Sequence, residues 1–369
     1  MKIAMMGIRG IPANYGGFET LAEELCQRLA EKGIDITVYG RSNIIDRKLN
    51  NTLYKNVRLL ILPTISHKYL DTVFHTFLSV IHGTFIKRYD IIFICNAANS
   101  IFSLIPRLVG TKVVVNVDGI ERKRKKWNFF GKLWYNAGEI FSCLFPNVIV
   151  SDAEVIKDYY LKRYGKKSVM IPYGVRIPEI NSDEILKKFS LKSKNYILYV
   201  SRLEPENNAD LVIRAFRNVN TSMNLVIVGD VPYNEKYKQY LKKLAGDDSR
   251  IIFTGYVFGT SYWEMQRNAC LYVQATEVGG THPALIEAMG SGNCILALDT
   301  PENREVLKEC GLHFSKTADS LQKQMQYLLD NTKEVEKYRG LALERAYRDY
   351  SWETVSNKYR ELFYSLVKK

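Results

Sequence analysis

The sequence predicts a doubly wound α/β protein with two domains, and three observations support this fold class. Short apolar runs alternate with stretches in which apolar residues recur every three or four positions, a pattern typical of buried parallel strands joined by helices. The chain has 369 residues, enough for two domains of ordinary size. A stretch with two prolines and a glycine, residues 171–184, separates two such series and is typical of an interdomain linker. We therefore expect domains at 1–172 and 173–350, and a C-terminal helix, 351–369, that crosses back to the first domain.

Composition limits the class of protein further. Apolar residues make up 46% of the chain and charged residues 25%, values typical of a soluble globular protein. No apolar run approaches the roughly 20 residues that a membrane-spanning helix needs, and the opening MKIAMMG lacks the regions of a signal peptide. The six cysteines have no paired spacing. We therefore expect a cytoplasmic protein with reduced thiols.

The positive charge is concentrated in the first half of the chain. Residues 1–170 contain 25 Lys and Arg against 14 Asp and Glu, whereas residues 171–369 contain 27 against 25, so the net charges are +11 and +2. The first half is therefore expected to face an anionic partner, namely a membrane surface, a nucleic acid or a phosphorylated acceptor.

The first predicted strand, Lys2–Met6, leads into a loop that contains Gly16 and Gly17 and then into a helix with leucines at positions 21, 25 and 29. The loop matches neither G-x-G-x-x-G nor the phosphate-binding loop that ends in G-K-[ST]. Two glycines at a helix start still allow a diphosphate to approach the backbone closely. The alternative is an ordinary glycine-rich turn between a strand and a helix.

Strands and helices continue to alternate through the first half. The expected strands are 34–39, 57–62, 91–95, 112–117, 148–151 and 168–171, with helices near 69–87, 99–109, 128–143 and 152–164. Ligands bind beyond the carboxyl ends of the strands in such sheets. The residues at or just past these ends are Arg9, Asn96, Asp118 and Asp152. For each of them, a capping or loop role is the alternative to ligand contact.

Residues Arg122–Trp134, here called the basic–aromatic segment, combine five consecutive basic residues with two tryptophans and two phenylalanines. This combination predicts contact with an anionic membrane, because basic side chains attract headgroups and aromatic rings insert at the interface. It also suits single-stranded nucleic acid. We favour the membrane, since the residues form one cluster and not a long groove. The third possibility is a solvated loop whose aromatic rings cover the core.

A second αβ series occupies the rest of the chain. The expected strands are 196–200, 225–228, 251–254, 269–273 and 294–298, with helices near 316–331, 333–348 and 352–369. Arg202 follows the first of these strands, so its guanidinium is a candidate for holding a diphosphate. The alternative is a surface ion pair with a nearby glutamate.

The most informative stretch, Thr276–Thr300, has the pattern of a glycine-rich turn, a helix and a strand. Gly279 and Gly280 precede Pro283, which fits a first helical turn because its missing N–H costs nothing there. The N–H groups at such a helix start attract phosphate and sugar oxygens. Glu287 lies about one turn into the helix, where a carboxylate suits the hydroxyls of a ribose. The alternative is an ordinary turn with a surface glutamate.

The second half contains the motifs RLEPENN at 202–208, GY at 255–256, the block ending ALIEAMGSG, and NREVL at 303–307. Together these motifs resemble glycosyltransferase family four, whose fold is GT-B, with two Rossmann-like doubly wound domains facing across a cleft. In the first half, GIRGIPANYGGFET, LPTISHKYLDTVFHTFLS at 62–79 and NVDGIERKRKKW resemble a bacterial branch that carries a domain of formerly unknown function and includes β-1,4-rhamnosyltransferases. The resemblance covers nearly the whole chain.

The resemblance implies a role for each matching residue. Gly16 and Gly17 would lie against the donor diphosphate, and Arg202 would pair with it. Glu287 would hold the ribose hydroxyls, and Tyr256 would lie by the base. Backbone N–H groups would be offered to sugar and phosphate by Gly279, Gly280, Thr281, Ala284 and Leu285.

The sequence departs from the family pattern at three places. Asn207 stands where the family has a phosphate-binding lysine, so either Arg202 must carry more of the charge or Arg9 helps. Nine residues separate Glu277 from Glu287 instead of the family's seven, which leaves the role of Glu277 open. Asp118 stands where many members have a histidine that contacts the sugar 6-hydroxyl, and this favours a 6-deoxy sugar such as rhamnose.

The resemblance implies a retaining glycosyltransferase that uses no metal, and the sequence contains neither metal-ligand spacing nor an Asp-x-Asp pair. Arg202 and the helix-start N–H groups would stabilise the leaving diphosphate, and Asp118 would orient the acceptor or accept its proton. We expect transfer of L-rhamnose from dTDP-rhamnose to a lipid-linked saccharide at the inner face of the cytoplasmic membrane, in the synthesis of a cell-surface polysaccharide such as capsule or O-antigen.

Three alternatives stay open. The donor could be another hexose carried by UDP or GDP. The enzyme could be a sugar-nucleotide epimerase or hydrolase of the same fold, which would form product without an acceptor. Outside this class, a basic nucleic-acid-binding protein would show steeply salt-dependent binding to oligonucleotides. We expect no nucleic-acid partner.

Overall fold

The computed structural model describes residues 1–13, 16–67, 70–117, 119–123, 128–176, 178–231 and 234–367. It divides into two compact units. The first unit consists of Met1–Gly174 together with Trp352–Lys369, and the second unit is Val175–Ser351.

The strands and helices alternate through both units. The strands are β1 (Lys2–Met6), β2 (Asp35–Arg41), β3 (Leu53–Tyr54), β4 (Val57–Leu62), β5 (Ile91–Cys95), β6 (Lys112–Val117), β7 (Val148–Ser151), β8 (Val169–Met170), β9 (Tyr196–Val200), β10 (Asn224–Val228), β11 (Ile251–Gly255), β12 (Leu271–Gln274), β13 (Cys294–Leu298) and β14 (Leu312–Phe314). The helices are α1 (Gly17–Glu31), α2 (Asp71–Ile81), α3 (Leu104–Leu108), α4 (Phe129–Leu144), α5 (Glu154–Tyr164), α6 (Glu184–Lys188), α7 (Ala209–Arg217), α8 (Glu235–Ala245), α9 (Gly259–Asn268), α10 (Pro283–Gly290), α11 (Pro301–Leu307), α12 (Ala318–Asp330), α13 (Thr332–Tyr350) and α14 (Trp352–Val367).

The first unit is built on a sheet with the order β3-β4-β2-β1-β5-β6-β7-β8, in which β3 alone pairs antiparallel. Helices cover both faces of a parallel sheet, so the middle of its strands is mostly apolar rather than alternating. All five residues of β5 are buried accordingly. The carboxyl edge of this sheet carries the loop that joins β1 to α1.

The final helix, α14, belongs to the first unit. Tyr359 and Phe363 pack against Phe93 of β5, with ring centroids 5.5 and 5.9 Å away. The Lys32 ammonium at the end of α1 lies 2.8 Å from the carboxylate of Glu353. The last helix therefore packs on the sheet of the first unit.

The second unit has the sheet order β11-β10-β9-β12-β13-β14, and every neighbouring pair within it is parallel. Apolar residues of α7 recur at helical spacing and pack on this sheet: Val212, Ile213 and Phe216 are fully buried in the core with Leu225 and Ile227 of β10. The prediction of two parallel α/β series is confirmed.

Candidate active site

The strand order of the second unit locates a crevice at the carboxyl edge of its sheet. β9 lies between β10 and β12, so the chain leaves β9 to one side and later forms β12 on the other. Loops diverge at such a switch point, and open parallel sheets bind ligands there. The loop after β9 contains Arg202, and the loop after β12 contains Gly279 and Gly280.

These two loops are joined by hydrogen bonds. The Glu277 N–H donates to the carbonyl of Glu206 at 3.1 Å. The Asn208 side-chain amide, at the start of α7, donates to the carbonyl of Ala275 at 2.8 Å and to Oε1 of Glu277 at 2.8 Å. The structure therefore brings the predicted Arg202 loop and the predicted glycine-rich loop together.

The turn that carries Arg202 depends on Gly229. The Ser201 N–H donates to the carbonyl of Val228 at 3.0 Å, which draws the end of β10 against the turn. Gly229 has a φ of +140°, and a Cβ built on it would lie 1.8 Å from the Ser201 carbonyl oxygen. Only glycine fits this position, because its backbone conformation and its space both exclude a side chain.

The buried residue Asn207 also supports the turn that carries Arg202. Its Nδ2 donates to the carbonyl of Arg202 at 2.7 Å, and its own carbonyl accepts from the Tyr199 hydroxyl at 2.7 Å. The residue is buried, so its amide braces the backbone of the turn. At the position where the family has a lysine, this protein therefore has a neutral asparagine that hydrogen-bonds to the backbone of the turn.

The Arg202 side chain is half-buried, and among the described residues it makes no ion pair or hydrogen bond. Among the described residues, Arg202 therefore does not form the surface ion pair with a glutamate that was the alternative prediction. Glu277 is instead engaged by Lys316, whose Nζ lies 2.5 Å from Oε1. The departure from the family spacing at Glu277 thus coincides with an ion pair inside the unit.

The start of α10 presents backbone donors beside the glycine-rich turn. His282 occupies the N-cap position of the helix, and Pro283 lies in its first turn. Within the described ranges, no acceptor is bonded to the N–H groups of Gly279, Gly280 and Ala284. The N–H of Leu285 already donates to the His282 carbonyl at 3.0 Å, and the Thr281 and Leu285 side chains are buried. The donors available to a ligand therefore end at Ala284.

The Glu287 carboxylate lies half-buried on α10 and accepts a hydrogen bond from Tyr262 of α9 at 2.5 Å. Burial and the charge of Glu287 raise the pKa of the Tyr262 phenol well above its ordinary value. Sequence analysis missed Tyr262, since no pattern connects α9 with α10.

Tyr256 follows β11 directly and stacks on Phe258, with ring centroids 5.6 Å apart and planes 23° apart. Both rings are exposed. Gly255 has a φ of +70°, which lets the chain turn sharply at the end of the strand. The pair forms a flat apolar surface of the kind on which a nucleobase stacks. Phe258 is a second site residue that sequence analysis missed.

In the first unit, the β1–α1 loop has a feature that the sequence did not reveal. The Glu19 carboxylate turns back over the start of α1, where Oε1 accepts from the Arg9 N–H at 3.0 Å. A Cβ on Gly16 would lie 2.9 Å from Oε2 of Glu19. The N–H groups of Gly17 and Phe18 have no acceptor among the described residues. The helix start therefore has donors, but it already faces one carboxylate.

The other polar residues predicted at strand ends differ in their placement. Asn96 caps the 3-10 turn Ala97–Ser103 by accepting from the Ala98 N–H at 2.9 Å, so its capping role is the observed one. Asp152 is buried at the end of β7. Asp118 lies outside the described residues, as do Asn14 and Tyr15 of the first loop.

Within the basic–aromatic segment, Arg122 is not a free surface charge. Its Nε lies 3.1 Å from Oε1 of the buried Glu139, which also accepts from the hydroxyls of Tyr159 and Tyr164 at 2.7 Å each. The pKa of Tyr159 is raised, chiefly by burial. Residues 124–127 lie outside the described residues, whereas Phe129 and Phe130 are exposed at 74% and 75%. Arg122 therefore anchors the segment to the unit.

Over the described ranges, no cluster of three or more His, Cys, Asp or Glu side chains is placed to hold a metal ion. None of the described helices is both long and apolar enough to cross a membrane. The six cysteines are free thiols.

Two family models match the chain. Residues 181–344 match "Glycosyl transferases group 1", and residues 1–176 match "Domain of unknown function (DUF1972)". Between them they account for nearly all of the chain. No curated protein matches it by sequence.

Solved structures of glycosyltransferases have the same fold. The sucrose-phosphate synthase (tll1590) of Thermosynechococcus elongatus superposes with a TM-score of 0.83 at 16% identity, over 99% of this chain and 98% of that one. Anabaena Alr3699/HepE in complex with UDP-glucose gives 0.79 at 13% identity, over 99% and 100%. WaaG, a glycosyltransferase involved in lipopolysaccharide biosynthesis, gives 0.75 at 16% identity, over 98% and 99%.

At these identities the structural likeness establishes the fold alone, and the family models add the class of enzyme. The predictions of a GT-B fold and of a glycosyltransferase are confirmed. The chain is thus a glycosyltransferase with the GT-B fold, in which residues 181–344 form a group 1 glycosyl transferase domain and residues 1–176 match DUF1972.

Proposed function

We propose that this enzyme is a retaining glycosyltransferase that moves L-rhamnose from dTDP-rhamnose to a lipid-linked saccharide during cell-surface polysaccharide synthesis. The observation that carries the donor side is the crevice between the loops after β9 and β12. There the Arg202 guanidinium has no partner among the described residues, and the N–H groups of Gly279, Gly280 and Ala284 have no acceptor among them. One cation beside a row of backbone donors suits a diphosphate.

The proposed chemistry places the developing negative charge at these donors. As the bond from the sugar C1 to the diphosphate breaks, Arg202 and the α10 N–H groups stabilise the leaving oxygen. The acceptor hydroxyl bonds to C1 from the same face, and its proton passes to the leaving diphosphate. Glu287 holds the sugar hydroxyls of the nucleoside, and Asp118 orients the acceptor or, in place of the diphosphate, takes its proton.

The choice of donor rests on two kinds of support. Asp118 stands where many family members have a histidine for the 6-hydroxyl, which favours a 6-deoxy sugar. HepE, a structural neighbour, has been solved with UDP-glucose, which supports a hexose carried by UDP as the second candidate. Both donors place the same diphosphate in the crevice, so the proposal for the site holds for either.

A thermal-shift panel with UDP, dTDP, GDP and ADP tests the donor site. One diphosphate, dTDP or else UDP, is expected to raise the unfolding midpoint by on the order of 4 °C at 100 times its dissociation constant. The matching nucleoside monophosphate is the control, because it lacks the second phosphate that Arg202 would meet. If no diphosphate stabilises the enzyme, the proposed donor site is wrong. Product formed without an acceptor would instead identify an epimerase or hydrolase.

We propose further that the first unit docks on the inner face of the cytoplasmic membrane through the basic–aromatic segment. Phe129, Phe130 and Leu133 of α4 are 74%, 75% and 55% exposed, which is unusual for a helix whose other side packs on the unit. The exposed Lys132 stands among them, and the first half of the chain carries a net charge of +11. Apolar anchors beside positive charge suit an anionic lipid surface.

Co-sedimentation with vesicles containing anionic phospholipid tests this docking. Replacing Phe129, Phe130 and Leu133 together by serine is expected to lower the membrane-bound fraction about tenfold, since each exposed side chain loses its burial in the interface. These side chains are exposed, so the fold should be kept. The control is Tyr347→Ser, which removes an exposed aromatic residue from the second unit. Equal pelleting of the triple variant and the wild type would contradict the proposal.

A further inference from the structure

A chain of hydrogen bonds leads from the interior of the second unit to the Glu287 carboxylate. The Tyr262 hydroxyl donates to Oε2 of Glu287 at 2.5 Å and accepts from Nε2 of Gln266 at 2.8 Å. Nδ2 of Asn293 donates to the backbone carbonyl of Gln266 at 2.8 Å and to its Oε1 at 3.3 Å. Gln266 and Asn293 are fully buried, so this series of hydrogen bonds is anchored in the core.

This series of hydrogen bonds fixes the direction of the Tyr262 hydroxyl proton. Gln266 supplies a donor to the phenolic oxygen, which leaves the Tyr262 proton directed at Glu287. Because burial and the Glu287 charge raise the pKa of Tyr262, its hydroxyl stays protonated throughout the physiological range. The terminal torsion of a glutamate is otherwise broad. A fixed donor on Oε2 therefore restricts the rotation of the Glu287 carboxylate.

Tyr262 also connects two parts of the candidate site. Its helix, α9, begins immediately after Phe258, whose ring stacks on Tyr256. Glu287 lies on the next helix, α10. One helix thus carries the aromatic surface proposed for the base at its start and the group that holds the carboxylate one turn later.

We infer that Tyr262 is a positioning residue that orients the Glu287 carboxylate toward the sugar hydroxyls of the donor nucleoside. This inference rests on the proposed function, in which Glu287 holds those hydroxyls. Tyr262 touches neither the diphosphate nor the reacting atoms in this role. Its contribution to donor affinity should therefore exist only when the nucleoside has hydroxyls for Glu287 to meet.

Calorimetric titration of Tyr262→Phe with two matched nucleotides tests the inference. The first is UDP or dTDP, whichever binds the wild type. The second is its analogue without sugar hydroxyls, 2′,3′-dideoxyuridine or 3′-deoxythymidine diphosphate. Loss of a hydrogen bond to a charged group predicts that the variant binds the first nucleotide about tenfold more weakly. The analogue should bind the variant and the wild type with the same affinity. Equal weakening for both nucleotides, or none for either, would overturn the inference.

Two further variants separate orientation from folding. Tyr196→Phe removes a hydroxyl that donates to the Met265 carbonyl of the same helix at 2.5 Å, and it should bind both nucleotides like the wild type. Gln266→Met removes the donor behind Tyr262 and should give the same selective loss at a smaller size. A selective loss in Tyr196→Phe would assign the effect to helix packing and overturn the inference. If neither UDP nor dTDP binds the wild type, the proposed function fails and this inference fails with it.

Discussion

Replacing Arg202 by alanine is expected to lower kcat by about 100- to 1000-fold, the loss typical of removing one preorganised donor from a developing oxyanion. Asn207 stands at the lysine position and Lys316 is engaged by Glu277, so neither residue supplies a second cation for the diphosphate. Charge on the leaving diphosphate would then be met mainly by the backbone N–H groups of α10. Steady-state turnover with the nucleotide sugar identified by the thermal-shift panel measures the loss.

The arginine series has its own controls. Arg202→Lys keeps the charge but loses the planar fork, so it should recover part of the turnover, with activity between that of alanine and wild type. Arg348→Ala removes an exposed arginine from α13 and should turn over like the wild type. Because Arg202 has no described partner, its loss should leave the unfolding midpoint nearly unchanged. Turnover of Arg202→Ala within threefold of wild type would refute the proposed role.

Much of the fold follows from periodicity in the sequence. The long apolar runs predicted β1, β4, β5 and β9 at their observed residues, because a strand buried on both faces must be apolar throughout. Short or polar elements were missed. β14 has three residues, and α8 carries lysines on most of its surface, so neither produces a strong pattern.

The expected helix near 99–109 shows a different limitation. The chain forms the 3-10 turn Ala97–Ser103 and then the short α3. Ser100 donates to the Gly138 carbonyl at 2.7 Å, and a Cβ on Gly138 would lie 2.6 Å from the Ala97 carbonyl. Close contact with α4 sets this geometry, and contact between distant segments is not visible in local spacing.

The candidate site was predictable where one loop carries its own chemistry. The pattern Gly279, Gly280 and Pro283 predicts a helix start with free backbone N–H groups. Arg202 directly follows a strand whose apolar residues are easily recognised. Tyr262 and Glu19 were not predictable, because each acts through a carboxylate or backbone group that another part of the fold brings to it. Family spacing also left Glu277 unassigned until its contact with Lys316 was visible.

Gly229→Ala is expected to have the largest effect on stability, although residue 229 carries no side chain and touches no proposed ligand group. The new Cβ would lie 1.8 Å from the Ser201 carbonyl oxygen and 2.9 Å from its carbon. The Ser201–Arg202 turn must therefore move. Overpacking and a strained φ each cost roughly 1–3 kcal/mol, so the free energy of unfolding should fall by about 2–6 kcal/mol.

The matched control is Gly292→Ala, which separates the two causes. Gly292 also has a positive φ, +70°, but nothing lies within 4 Å of its Cβ position. It should lose only the conformational part, roughly 1–2 kcal/mol, and keep its turnover. Gly229→Ala should in addition bind the donor nucleotide weakly, because the displaced carbonyl directly precedes Arg202. Thermal unfolding and donor titration of both variants measure these effects, and equal losses in the two would show that the overlap with Ser201 does not fix the arginine turn.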